Sequence, residues 1–259
     1  MSTPAAPTLD LFDVNVCVGR PVRGGYRPAV NSDDLEDVLD SYGIRRAVVW
    51  HIAQLEHAAP DGNAMLADFI RGRERLTGCW TILPPQTREL PPVEELFSAM
   101  AEAGVCALRL FPDEHRFIPD RVVLGSLFDH AVERRIPVLV SLTLPGMSWG
   151  HTYRLLADFP ELTCVICDTG VWGQDRYFRP LLERYPRVYV ETSLLSLGDG
   201  IVEALVRDYG SSRLVFGSGF PDREPEAAIL QLLHAEISEA DRKAIASGNL
   251  ERLLREEKL

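Results

Sequence analysis

The chain has 259 residues, 46% hydrophobic and 25% charged, the balance of a soluble globular protein long enough to bury a sizeable core. No apolar run approaches the roughly 20 residues of a membrane-spanning helix, and a formal net charge of -11 without a long basic patch argues against nucleic acid as a partner. The start, MSTPAAPTLDLFDV, lacks the basic and long apolar regions of a secretory signal, so a cytoplasmic location is expected, and five irregularly spaced cysteines fit that expectation.

In chain order, eight short apolar or β-branched runs, near residues 8–17, 46–51, 77–83, 105–111, 137–142, 163–168, 187–192 and 213–217, alternate with longer amphipathic stretches. After the first run, GRPVRGGYR reads as a mobile βα loop. Ser32, Asp33 and Asp34 suit a helix N-terminus, and Gly43 should end that helix. A helix from Pro119–Asp120 through LFDHAVERR places Leu127, Phe128, Ala131 and Val132 on one stripe before Pro137 opens the next strand. Cys164 and Cys167 form a C-x-x-C inside an apolar run, where residues three apart point to opposite faces, so no redox or zinc role is assigned to them. The tail from Glu224 to Leu259 holds two or three further helices, with Ser238 as a cap and Gly248 as a break. The repeat is βα. It predicts one (β/α)₈ TIM barrel domain over residues 1–259 with extra C-terminal helices. An open doubly wound sheet uses the same units, but neither G-x-G-x-x-G after the first strand nor a P-loop is present.

Seven segments resemble, in family order, the amidohydrolase-related branch of the amidohydrolase superfamily. They are FDVNVCVG, ALRLFP, IPVLVS, LLADFPELTCVICDTG, RYPRVYVETS, RLVFGSGFP and IASGNLERLL. The resemblance implies a metal held by two first-strand histidines, one histidine each from the fifth and sixth strands, and an eighth-strand aspartate that also shuttles protons. Here Asn15 and Cys17 stand at the histidine pair, Ser141 and Asp168 at the two later histidines, and Gly219 at the aspartate. Only Cys17 and Asp168 are competent ligands, so no metal and no cofactor is expected.

Barrel enzymes place their chemistry at the C-terminal strand ends, where Asn15, Cys17, Arg109, Ser141, Asp168 and Glu191 should gather. Asn15 and Cys17, two apart, should share the inward face with Asp13 below them. Asp168 is the candidate general acid or base; the alternative is a structural carboxylate paired with Arg109 or capping the next loop. Arg109 can clamp a substrate carboxylate through its planar fork, or form an internal salt bridge to Asp168 or Glu191. Cys17 is either a nucleophile or a small apolar filler, and His51 is the base that could serve it. His57 and His115 fall in βα loops. Trp149, His151, Trp172 and Tyr177 line a pocket or pack loop against loop. The expected function is a metal-independent hydrolase or lyase, by lactone opening, decarboxylation or isomerisation, on a small carboxylated or carbonyl compound. The alternatives are a pseudoenzyme that binds a ligand or partner protein, and hydrolysis at an irregular metal site on Cys17 and Asp168. Related barrels are often oligomers, which leaves a homo-oligomer open.

Overall fold

The computed structural model describes residues 9–22, 28–142, 147–170, 172–197 and 199–259. Its strands are β1 (Leu11–Val18), β2 (Ile44–His51), β3 (Leu76–Thr81), β4 (Val105–Arg109), β5 (Val138–Ser141), β6 (Cys164–Cys167), β7 (Val188–Glu191) and β8 (Leu214–Val215). They pair in parallel in sequence order. Val14 N donates to Phe216 O at 3.0 Å and Cys17 N to Phe220 O at 2.7 Å, joining β1 to the segment that follows β8. These bonds close the sheet into a (β/α)₈ TIM barrel, and each of the eight apolar runs overlaps one of its strands, with β1, β2 and β3 extending one or two residues beyond theirs. Of the GRPVRGGYR segment, residues 23–27 lie outside the described residues.

Strands buried on both faces must be apolar on both, which is why these runs lack strict polar alternation. One face supplies the barrel interior, with Phe12, Val48, Trp50, Cys79, Ala107, Leu139, Val165, Cys167, Tyr189 and Val215. The other packs Val16, Val49, Trp80, Leu108, Val140, Cys164, Ile166 and Val190 against the surrounding helices. Cys164 and Cys167 thus fall on opposite faces, as their spacing requires.

Helix Ser32–Tyr42 ends at Gly43, in a left-handed conformation, but its cap is Asn31, which forms a capping box with Asp34. Helix Arg121–Arg134 is capped by Asp120 and buries Leu127, Phe128 and Ala131. In the tail, Ser238 caps helix Glu239–Lys243. Gly248 is not a break: its φ of -57° is helical, and a π-turn over Ala244–Gly248 carries the chain into helix Asn249–Arg255. That last helix sends Leu250 and Leu253 into the interior cluster and pairs Glu251 with Arg46 near the start of β2. It therefore floors the barrel at the end opposite the strand C-termini.

Candidate active site

The mouth of the barrel is shaped first by an irregularity in β1. Phe12 and Val14 belong to the interior cluster, yet Val16 and Val18 belong to the outer one, and the pairing with β2 shifts register between Asp13 and Val16. A bulge reverses the inside–outside alternation. Asn15 and Cys17 accordingly share the interior face. Asp13 does not stand beneath them on that face: its buried carboxylate accepts from Asn15 N at 2.9 Å and from Ser218 N at 3.1 and 3.2 Å, tying β1 to the segment after β8.

Asp168 is turned by a second irregularity. Because Cys167 points inward, an extended chain would aim the next side chain outward, but Asp168 adopts a left-handed φ of 53°, which aspartate tolerates better than most residues. Its carboxylate becomes the hub of the mouth. Oδ1 accepts from Asn15 Nδ2 at 3.2 Å and from the guanidinium of Arg223, and Oδ2 accepts from Ser141 Oγ at 2.6 Å. Below, Asp168 N donates to Glu191 Oε2 at 3.2 Å, while Ser193 donates to the same carboxylate through its N–H and, at 2.9 Å, its hydroxyl. Burial, reinforced by the adjacent Asp168, pushes the Glu191 carboxyl up from the usual carboxylate range, with Arg223 opposing.

Arg109, at the end of β4, is fully buried. Its guanidinium lies 4.7 Å from the Trp50 ring centroid and 5.9 Å from that of Phe111. Nη2 donates to Asn15 Oδ1 at 2.7 Å, whereas Nε and Nη1 have no hydrogen-bond partner among the described residues. The salt bridge of Arg109 to Asp168 or Glu191 considered from the sequence is not formed. Asn15 links Arg109 to Asp168 instead, and the ion-pair partner of Asp168 is Arg223.

Sequence reasoning did not single out Arg223. The N–H groups of Asp222 and Arg223 both turn back to Gly219 O, at 3.1 and 3.3 Å, and this turn returns the arginine over Gly219. A Cβ at Gly219 would collide with the guanidinium. The only local signal was a glycine at a position where the family resemblance implies a ligand, followed four residues later by a cation.

The other candidates lie apart from this hub. Cys17 is buried in the interior cluster, and burial pushes its thiol well up despite nearby Arg109, so at neutral pH it is a neutral thiol and a weak nucleophile. His51 ends β2 with its ring against Gly19, and its Nδ1 accepts from Ala53 N at 3.1 Å; burial lowers its pKa. Trp149 stacks on Tyr177 with centroids 5.1 Å apart and donates to Gln174 Oε1 at 2.8 Å, which packs the start of helix Trp149–Asp158 against the start of helix Asp175–Arg184. Trp172 is 81% exposed. His151 approaches Asp113 at 3.8 Å.

A family model described as amidohydrolase matches residues 20–255. The chain belongs to the amidohydrolase family. No curated protein matches it significantly. Among solved structures, it is similar to 5-carboxyvanillate decarboxylase from Novosphingobium aromaticivorans, complexed with manganese and 4-hydroxy-3-methoxy-5-nitrobenzoic acid (TM-score 0.75, 14% identity, covering 97% of each chain). It is also similar to 2,6-dihydroxybenzoate decarboxylase from Rhizobium (TM-score 0.72, 16% identity, covering 95% of this chain and 99% of that one). A third is a probable 2-pyrone-4,6-dicarboxylic acid hydrolase from Acinetobacter baumannii with citric acid bound (TM-score 0.71, 14% identity, covering 95% and 100%). At these identities the likeness concerns the fold.

The donors present do not fit the divalent metal that the family resemblance implies. Asn15 and Ser141 are neutral and weak, and Gly219 offers nothing. That leaves Cys17 and Asp168, fewer strong ligands than a divalent site needs, and both Asp168 oxygens are already engaged by Asn15, Ser141 and Arg223.

Proposed function

We propose that this amidohydrolase-family barrel is a metal-independent hydrolase or lyase acting on a small compound that carries a carboxylate or a carbonyl. Lactone opening, decarboxylation and isomerisation are the candidate reactions. One observation carries the reading: a fully buried guanidinium, Arg109, has two unsatisfied nitrogens and no carboxylate at ion-pair distance among the described residues. Leaving a buried cation unpaired costs several kcal/mol. A substrate anion supplies the missing partner, and the planar fork suits a carboxylate. The named relatives, two decarboxylases and a hydrolase of a dicarboxylic acid, fit that substrate class.

In this reading Arg109 holds the anionic group, Asn15 fixes the spacing between Arg109 and Asp168, and Asp168 takes or gives the proton at the reacting atom. Ser141 orients the Asp168 carboxylate, and Glu191 sets its backbone. A second reading, a ligand-binding pseudoenzyme, draws on the full engagement of the Asp168 carboxylate, which must release one contact before it can move a proton.

The test is a panel of small aromatic and aliphatic mono- and dicarboxylates, scored by thermal shift and then by turnover. Carboxylates should stabilise the wild type and not Arg109→Met. Asp168→Asn should retain binding and lose about 10²-fold or more in turnover, the usual scale for a general acid or base. If no carboxylate binds, or if binding survives Arg109→Met, the reading is wrong. Binding without turnover of any bound compound hands the site to the pseudoenzyme reading.

A further inference from the structure

We propose that Arg223 is a built-in cation standing in the place of the family's divalent metal, so that the fixed positive charge of this site is covalently part of the chain. The inference deepens the reading above, because it names the electrostatic centre around which Arg109 and Asp168 work.

Three observations converge on it. First, two of the five positions at which the family resemblance implies metal ligands meet the Arg223 guanidinium itself, and two more meet the carboxylate that it bonds. Asp168 bonds it directly, Asn15 and Ser141 hold the Asp168 carboxylate from either side, and the guanidinium fills the space that a side chain at Gly219 would need. A side chain at Gly219 and the Arg223 guanidinium thus exclude one another. Second, the turn that closes onto Gly219 O fixes the backbone from which the arginine reaches back. The charge of Arg223 also acts on Asp13, Glu191 and Asp222, besides its ion-pair partner Asp168. Third, the arginine side chain is 24% exposed, while its Nε is buried without a partner among the described residues.

A guanidinium supplies part of what a dication supplies. It is always charged and offers directed N–H donors, so it can stabilise an oxygen on which negative charge develops while Arg109 holds the carboxylate. It does not acidify a bound water to near neutrality as a metal does. Any water attack in this site therefore depends on Asp168 for proton removal, and reactions that build charge on a substrate oxygen are the ones Arg223 directly assists.

Two measurements test the proposal without needing the substrate. Mn²⁺ titration of the wild-type protein, followed by the electron paramagnetic resonance signal of free Mn²⁺, should show far less than one bound ion per chain at about 100 µM metal, because Arg223 already holds the position. One tightly bound Mn²⁺ per chain, lost in Asp168→Asn, overturns the proposal. In Arg223→Ala the vacated hole should accept free guanidinium. Guanidinium chloride at about 10 mM, against equal sodium chloride, should raise the melting temperature of this variant, while the wild type and Arg223→Ala with Asp168→Asn should not respond. A variant that melts like the wild type and ignores guanidinium overturns the proposal. If Arg223→Ala does not fold, the manganese titration of the wild type decides alone. Failure of the carboxylate panel would leave both measurements unchanged, so this proposal and the substrate reading fail separately.

Discussion

Replacing Arg109 by methionine should make the unliganded protein more stable and useless as an anion binder. The guanidinium is fully buried, and removing an ion from water without a counter-ion costs several kcal/mol. Against that cost stand a charged hydrogen bond to Asn15 at 2.7 Å, about 1.5–3 kcal/mol, and the stacking on Trp50, about 2 kcal/mol when desolvated. Nε and Nη1, buried without acceptors, add about 1–3 kcal/mol of unfavourable free energy each. Methionine fills similar space with a flexible apolar chain and leaves only the Asn15 oxygen to be resatisfied. The balance is a gain of about 1–2 kcal/mol, or roughly 2–8 °C in melting temperature for a chain of this size. Urea unfolding of both proteins without ligand measures the difference directly. A carboxylate at a hundred times its Kd should then add about 2.7 kcal/mol to the wild type alone and reverse the ranking. If Arg109→Met is instead less stable by more than about 1 kcal/mol, the arginine is a structural element satisfied in place, and the argument that it waits for an anion fails.

Glu257, tucked at the floor of the barrel with a buried, unpartnered Oε1, has its carboxyl pushed up to about 8 by burial. A raised carboxyl pKa favours the fold while the group is protonated, so its contribution is whole below about pH 4.5 and is lost as pH rises through about 8. Glu257→Gln should match the wild type at pH 5 and exceed it by about 2–4 kcal/mol at pH 9, read by urea unfolding at both pH values; equal stabilities at pH 9 would remove Glu257 as a strained site. Gly217→Ala should destabilise the barrel by about 2–4 kcal/mol, since a Cβ there collides with the Glu191 carboxyl, which is locked by Ser193 and Asp168 N–H groups and cannot retreat. Thermal unfolding checks this, and a neutral result would mean that Glu191 is free to move. If the site is metal-independent as proposed, chelator treatment should leave the melting temperature of the wild type unchanged within about 1 °C, with no folding free energy tied to a bound divalent ion; a larger drop on chelation contradicts that reading.

The fold was legible in the amino-acid pattern. Eight apolar runs spaced by amphipathic helices admit few arrangements that bury every strand on both faces, and the family motifs put those runs in the order of a known barrel. Strand-end position is a matter of counting, so Asn15, Cys17, Arg109, Ser141, Asp168 and Glu191 were expected together; five of them are joined in one hydrogen-bonded network, while Cys17 stays outside it in the interior cluster. Who pairs with whom was decided only by tertiary structure. The bulge between Asp13 and Val16 and the left-handed φ of Asp168 depart from the period of two that sequence reading assumes, so they redirect Asp13 and Asp168 in ways no pattern shows. The largest miss has the same origin. Arg223 lies in a short turn with no periodicity of its own, 55 residues from Asp168 in sequence, and becomes its partner because barrel closure brings the turn after β8 across the mouth to the end of β6. A salt bridge between loops depends on distances set by the closed barrel, and the one-dimensional pattern carries chain order, burial and face but not those distances.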